Sequence, residues 1–237
     1  MQLPYFFLEE AGAAATQLEL PDETARHVVQ VLRMQPGQAL HLTNGSGLLL
    51  TAAVVEAHKK KAVVRVVERQ EVLPPARRIT IAISLLKNTN RFEWFLEKAT
   101  ELGVAGIVPL LCERTERQQF RPDRMKGILV SALQQSRQCW LPVLHPPVKL
   151  SHFLEQPAPG GLNLIAHCAE DEKQSLAALD MHEYADCRIL IGPEGDFSAA
   201  EIAQARAAGY SPVTLGETRL RTETAGVAAA VLLCLGK

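Results

Sequence analysis

Ile189-Leu190-Ile191-Gly192-Pro193-Glu194-Gly195-Asp196-Phe197-Ser198 is the stretch that decides the fold. An apolar strand over 188–191 runs into a glycine turn, where the missing Cβ lets the backbone come close to a ligand. The turn feeds a well-marked helix. Ser198 is its N-cap with Glu201 three residues on, a capping box, and Phe197 and Ile202 occupy the positions of a hydrophobic staple. Gly209 is a good C′ residue and ends it. A second segment repeats the arrangement. A short strand over 212–215 meets Gly216, then Glu217-Thr218-Arg219-Leu220-Arg221-Thr222-Glu223-Thr224-Ala225-Gly226, and the Ala/Val/Leu-rich run over 225–235 reads as a buried helix. In open α/β sheets ligands bind beyond the carboxyl ends of the strands, so the two loops predict one small-molecule site. Glycine beside proline or aspartate is also ordinary turn punctuation. Glu194, Arg221 and Glu223, concentrated in the loops, favour the site.

Upstream the same grammar continues. Residues 79–86 form an apolar strand, and Asn90 with Glu93 makes the next helix cap. Phe92, Phe95, Leu96, Ala99 and Leu102 lie on one helical stripe that ends at Gly103, and these aromatics read as core. A strand over 107–111, a helix over 123–136 and a strand over 162–167 follow, so strand and helix alternate as in an open parallel sheet. Leu73-Pro74-Pro75-Ala76 is a stiff linker. Ahead of it the period changes. Asp22 caps a short helix with Ala25, Val28, Val29 and Leu32 on its apolar face. Strands over 38–43 and 48–57 then flank the hairpin connection Asn44-Gly45-Ser46-Gly47, and a third covers 61–68. Short strands with one helix predict a small barrel-like β domain over 1–72, with the α/β domain over 73–237.

With 47% hydrophobic residues in 237, the chain can bury a sizeable core. Mean hydropathy is near zero and no long uncharged apolar run is present, which argues against a membrane span. Cys112, Cys139, Cys168, Cys187 and Cys234 are odd in number and lack CxxC spacing. They predict free thiols in a reducing cytoplasm, with no metal site. A net charge of −1 does not announce a polyanionic partner, but its distribution is uneven. Between residues 113 and 140, Arg114, Arg117, Arg121, Arg124, Lys126 and Arg137 outnumber Glu113, Glu116 and Asp123 by three. Lys59-Lys60-Lys61 is a second basic cluster. Such runs are also common on plain solvated surfaces. A GxGxxG opening and a Walker-type loop are both absent, which removes the usual support for dinucleotide and P-loop chemistry.

The two loops, together with Ala25-Arg26-His27-Val28-Val29-Gln30-Val31-Leu32-Arg33-Met34, Glu97-Lys98-Ala99-Thr100-Glu101-Leu102-Gly103-Val104 and Glu113-Arg114, carry a resemblance over nearly the whole chain. The sequence resembles the RsmE family, SPOUT-superfamily methyltransferases that modify a uridine of 16S ribosomal RNA at N3. The resemblance implies a PUA-like RNA-binding domain, a SPOUT parallel sheet with a C-terminal trefoil knot, a cytoplasmic homodimer and S-adenosylmethionine (SAM) as cofactor. Residue by residue, it points to His167, Ile191, Gly192, Glu194, Gly195, Leu215, Gly216, Leu220, Arg221, Thr222 and Ala225 as cofactor-binding. Arg26, Arg33, Lys87, Arg91, Arg114, Arg117 and Arg137 become candidates for phosphate contact, which fixes register without reading bases. Lys87-Asn88-Thr89-Asn90-Arg91 departs from the family in lacking the glycine that commonly follows the basic residue, and Gln134-Gln135-Ser136-Arg137-Gln138 only approximates its pattern.

Transfer from a sulfonium to uracil N3 needs alignment, removal of water and loss of the N3 proton. Arg221, always cationic, suits the developing uridinate, and Glu223 or Glu194 can accept a proton or orient Arg221. An Arg221–Glu223 ion pair capping the last helix is the structural alternative. Methylation at C5 usually employs a thiolate, and neither loop contains a cysteine. His167 is a candidate pocket wall or an ordinary strand-end histidine. Two further functions share these features: ribose 2′-O methylation by another SPOUT branch, and a non-catalytic RNA-binding ribosome-assembly factor.

Overall fold

The computed structural model describes residues 2–12, 14–58, 61–116, 119–156 and 161–236. It divides into two units, one formed by residues 1–74 with 133–141 and the other by residues 75–132 with 142–237.

In the first unit, β1 (Tyr5–Phe7), β2 (Gln17–Glu19), β3 (Ala39–Thr43), β4 (Leu48–His58) and β5 (Lys61–Glu71) form one sheet in the order β1-β3-β4-β5-β2. β1 pairs parallel to β3 and every other pair is antiparallel. Among the described residues β1 and β2 are the edges, and no ladder joins them to close the expected barrel. The short strands β1 and β2 carry too little alternation to be visible in the sequence. One face buries Leu40, Leu42, Leu50, Ala52, Val54 and Val64 around Ala25 and Val28.

The helix of this unit differs from expectation in three ways. Asp22 is the first residue of α1 (Asp22–Arg26), Pro21 holds the N-cap position, and no side chain caps it. Residues His27–Val31 continue as a π-helix, closed by Leu32 N–H donating to the His27 carbonyl at 2.9 Å. The wider π turn rotates later residues out of the 3.6-residue stripe. Leu32 is therefore exposed, while Met34 takes a buried place.

In the second unit, β6 (Arg78–Ser84), α2 (Thr89–Glu101), β7 (Gly106–Leu111), α3 (Pro122–Ser136), β8 (Val143–Leu144), β9 (Val148–Lys149) and α4 (Leu150–Leu154) come first. They are followed by β10 (Leu162–Ala166), β11 (Gln174–Ser175), β12 (Asp186–Ile191), α5 (Ala199–Ala207), β13 (Ser211–Thr214) and α6 (Thr222–Leu235). The last turn of α3 belongs to the first unit's residues. The sheet is parallel throughout, in the order β11-β13-β10-β12-β6-β7-β8, with β9 also against β7. Parallel strands covered on both faces read as continuous apolar runs, which is why β6, β7 and β12 were legible. Ala82, Leu110, Ile165 and Leu190 meet Leu150, Leu154, Phe197 and Ala205 on one side. α2 and α6 pack together, and α6 also packs on β6 and β12.

The α2 cap lies two residues earlier than expected. Asn88 is the N-cap and accepts from the Asn90 N–H at 3.0 Å, whereas Glu93 turns outward and pairs with Arg124 at 2.5 Å. Phe92, Phe95, Leu96 and Ala99 are core as expected. α6 is only half buried. Thr222, Glu223, Gly226, Ala229, Ala230 and Leu233 face inward at helical spacing, but Val231 and Leu235 are exposed. An all-apolar run has no stripe to reveal which side is covered.

Candidate functional site

Register places the site. Ala166 stands opposite Ile191 on one side and Val213 on the other, so β10, β12 and β13 end level and their loops leave from one rim. Beyond that rim is a hollow of about 490 Å³, within the range of small-ligand sites.

The turn after β12 is closed by the Asp196 N–H donating to the Pro193 carbonyl at 2.9 Å. Asp196 has φ +64° and its carboxylate works in two directions. Oδ1 accepts from the Phe197 N–H at 2.9 Å and Oδ2 from the Cys168 N–H at 2.8 Å, joining the β12 turn to the loop after β10. The capping box is complete: the Ser198 N–H donates to Glu201 Oε2 at 2.9 Å and the Glu201 N–H to Ser198 Oγ at 3.3 Å. Glu201 Oε1 also accepts from the Glu113 N–H at 2.8 Å, tying the end of β7 to the same corner. After β13, Thr214 Oγ1 donates to the Gly216 carbonyl at 2.8 Å and accepts its N–H at 3.3 Å. Gly216 has φ +141°, a conformation that a Cβ would strain. The chain then passes 217–221 and enters α6 with Arg221 at the N-cap, so Thr222 and Ala225 in its first turn line the hollow.

His167 forms part of the hollow's wall. Its side chain is fully buried, and neither ring nitrogen has a hydrogen-bond partner among the described residues. Asp171 Oδ2 is 3.7 Å from Nε2, too far for one. Burial lowers its pKa, opposed in part by Asp171, so the ring is held neutral with one donor and one acceptor available. Lys173 clamps this loop through the carbonyls of His167 at 3.1 Å and Ala169 at 2.6 Å, and Asp171 pairs with Arg206 at 3.2 Å.

Of the expected cofactor residues, His167, Ile191, Gly192, Glu194, Leu215, Gly216, Leu220, Arg221, Thr222 and Ala225 come together around this hollow. Gly195 does not line it; its carbonyl accepts from Arg114 Nη1 at 2.6 Å. Ala166, Cys168, Lys173 and Asp196 line the hollow and were missed. Asp196 belongs to the first loop without having been singled out, and for Ala166, Cys168 and Lys173 the sequence signal was a strand end at a rim already carrying two loops. Cys168 is exposed at this wall, although neither loop sequence contains a cysteine.

The expected carboxylates separate. Glu194 is exposed at the hollow's rim and accepts from the Lys87 N–H at 3.3 Å. Glu223 is buried and turned toward α2, where Oε1 lies 3.5 Å from Arg91 Nε. The alternative of an Arg221–Glu223 pair is therefore replaced by an Arg91–Glu223 pair. Arg221 is exposed, free to face a ligand.

The basic residues are less available than their sequence suggested. Lys87 pairs with Glu116 at 2.6 Å, which raises its pKa, and Arg124 is held by Glu93. In the first unit, Arg137 (φ +56°) donates to the Leu3 carbonyl at 2.9 Å and Arg26 to the Asp22 carbonyl at 3.3 Å. Arg33 is exposed with φ +52°. Arg117, Lys59 and Lys60 lie outside the described residues. Among the described residues no cluster of His, Cys, Asp or Glu could hold a metal, and no helix is long and apolar enough to cross a membrane.

A parallel sheet with a loop-walled hollow at its carboxyl edge is the layout of an α/β protein that takes a small ligand beyond its strand ends. The chain matches the RNA methyltransferase domain over residues 74–234 and the RNA methyltransferase PUA domain over 20–67, and it belongs to that family. Within the family it falls with the ribosomal RNA small subunit methyltransferases E. The Synechocystis member is 33% identical over 204 residues, 84% of this chain and 66% of that one. Two crystal structures are also similar. The "probable rRNA-methyltransferase" of Porphyromonas gingivalis shares 37% identity at a TM-score of 0.91, covering 99% of this chain and 98% of that one. The small subunit methyltransferase E of Neisseria gonorrhoeae, bound to SAM, shares 29% identity at 0.88, covering 98% and 97%.

Proposed function

We propose that this chain is a SAM-dependent methyltransferase that modifies a uridine of 16S ribosomal RNA at N3, working as a cytoplasmic homodimer. The observation that carries the reading is the 490 Å³ hollow at the level ends of β10, β12 and β13, in a chain whose relative of the same family binds SAM. The residues present fit that cofactor. The ring of His167 offers a donor and an acceptor to a polar ligand, and Ile191, Gly192, Leu215 and Gly216 line the hollow, where the two glycines have no side chain to stand between main chain and an adenosine. When bound, SAM supplies an electrophilic methyl group on a sulfonium.

The chain's own residues then have three tasks. The loops after β12 and β13 exclude water and fix the angle of approach. Arg221, exposed at the N-terminus of α6, places a permanent positive charge where uracil loses its N3 proton, and the helix dipole adds to that field. Glu194, exposed at the hollow's rim, is the carboxylate to which this reading assigns the proton.

The small β unit is read as the RNA-holding domain, with Arg26 and Arg33 on its surface. Dimerisation is supported by exposed Val231 and Leu235 on α6. A trefoil knot is supported by the chain path, since β13 lies on the far side of β10 while the α6 that follows it returns to β6 and α2. The thiols support a reducing compartment, because every cysteine is free.

Two measurements test the reading together. Calorimetry with S-adenosylhomocysteine should show one site per chain, and nucleoside mapping of small subunits incubated with protein and SAM should show 3-methyluridine. A 2′-O-methylated nucleoside would assign the other chemistry, and no binding by the folded protein would assign a non-catalytic role.

A further inference from the structure

The segment Arg219-Leu220-Arg221 walls two hollows, and the cofactor hollow is only one of them. The second, of about 600 Å³, is completed by Asn90, Arg91 and Trp94 of α2 and by Glu223 and Thr224 of α6. Arg219, Leu220 and Arg221 line both, so the two hollows adjoin along this segment. Adjoining sites are what a direct group transfer requires, since donor and acceptor atoms must come into contact.

The second hollow has a definite chemical character. Trp94 is 43% exposed on a helix whose Phe92 and Phe95 are buried, so its indole is not part of the core. Arg91 reaches in from the adjacent turn, and Arg219 and Arg221 are exposed on the opposite wall. Glu223 is buried beneath them. One of its oxygens is paired with Arg91, while Oε2 has no hydrogen-bond partner among the described residues.

An indole face beside a cluster of guanidinium groups is what a splayed-out nucleobase binds. The base stacks on the ring, and its edge and phosphate take the N–H donors. The donors also discriminate. Uracil presents two carbonyl acceptors, O2 and O4, flanking N3, and guanidinium N–H groups suit both. Cytosine replaces O4 with an amino group, a donor facing a donor, and is disfavoured. Bonds to O2 and O4 also delocalise the charge left on the ring once the N3 proton departs.

We infer that the hollow between α2 and the Arg219–Arg221 segment is the acceptor subsite, in which the target uracil stacks on Trp94 and is bonded through its carbonyls by Arg91 and Arg221. Glu223 is a positioning residue that holds Arg91 toward the base. The inference deepens the uridine methyltransferase reading and rests on it.

The test compares the wild-type protein with W94F and W94L, all saturated with S-adenosylhomocysteine. Uridine 5′-monophosphate should quench the wild-type fluorescence saturably, cytidine 5′-monophosphate should do so several-fold more weakly, and W94F should lose the uridine-dependent change. In turnover on small subunits, W94L should raise the KM for the RNA substrate by on the order of tenfold, the scale of one lost base stack. W94F should recover most of that loss, with S-adenosylhomocysteine affinity within about twofold of wild type in both. Unchanged KM and kcat in W94L would overturn the subsite. So would a Trp94 signal that follows protein concentration and ignores the nucleotide, which would give the hollow to a second copy of the chain. The broader reading fails separately, through absent cofactor binding and absent 3-methyluridine in the wild type, and the quenching experiment still decides the hollow.

Discussion

Arg91 Nε lies 3.5 Å from Oε1 of Glu223, joining the start of α2 to the first turn of α6. The two ends of the link are unequal: the Glu223 side chain is 8% exposed and that of Arg91 39%. Removing the arginine leaves a buried carboxylate with neither oxygen paired. Removing the charge of the glutamate leaves an arginine that water can reach. We expect Arg91→Ala to destabilise the fold by roughly 1–3 kcal/mol and Glu223→Gln by less. Urea unfolding of both variants checks the order; equal losses would mean that the pair carries no buried charge.

Arg221 should behave in the opposite way. It is exposed, its side chain makes no capping bond, and its backbone already has the extended N-cap geometry of φ −70° and ψ 155°. Arg221→Ala is therefore expected to change stability by less than about 0.5 kcal/mol. Turnover should fall by on the order of 10²–10³, the scale of one removed group that stabilises developing negative charge. Near-normal turnover on small subunits would remove Arg221 from the chemistry.

Gly226 sets a sign against expectation. Gly→Ala inside a helix ordinarily stabilises by about 1 kcal/mol. Here a Cβ would stand 2.6 Å from Phe95 Cε2 and 2.9 Å from Ile83 Cδ1, both in side chains buried in the core between α2, α6 and β6. Overpacking of this kind costs about 1–3 kcal/mol. Gly226→Ala should lower the melting temperature, and a rise would show that α6 packs more loosely than this.

How much of this could be read beforehand depends on the range over which each signal acts. The Ser198–Glu201 capping box is local, and the structure reproduces it atom for atom. The partner of Glu223 is not local. Sequence neighbourhood suggested Arg221, two residues away, whereas packing of α2 on α6 supplied Arg91. Asp22 and Asn90 failed as caps for a related reason. Both residue types favour helix starts, but Pro21 and Asn88 already held the N-cap positions. Cys168 was invisible as a pocket wall because only the pairing of β10 between β12 and β13 brings its loop against that of Asp196.

Cys168 gives a direct reading of occupancy. It is exposed at the wall of the cofactor hollow, whereas burial pushes the Cys112 and Cys187 thiols up to about 12 and Cys234 up to about 11. The thiolate is the reactive form, so a brief alkylation near neutral pH should label Cys168 ahead of those three. Saturating S-adenosylhomocysteine should slow that labelling severalfold. An unchanged rate would place the nucleoside elsewhere.

His167 supplies a pH signature whose sign follows from its burial. Its folded-state pKa is lowered, so as pH falls below the ordinary histidine value the unfolded chain takes up a proton that the folded chain does not. Stability must then decline with falling pH through that window and recover as pH rises above it. His145, also lowered by burial with Arg188 adding to the shift, contributes in the same direction, so the wild-type profile contains both. His167→Gln keeps a donor and an acceptor but cannot titrate. It should flatten the acid side of the stability profile by its own share and leave that of His145. Ligand affinity adds a second readout, because a protonated ring is donor-only and could not serve both kinds of partner in the hollow. Affinity for S-adenosylhomocysteine should thus weaken toward pH 5 in the wild type and vary less in His167→Gln. Parallel profiles in the two proteins would show that His167 neither titrates in this range nor touches the ligand.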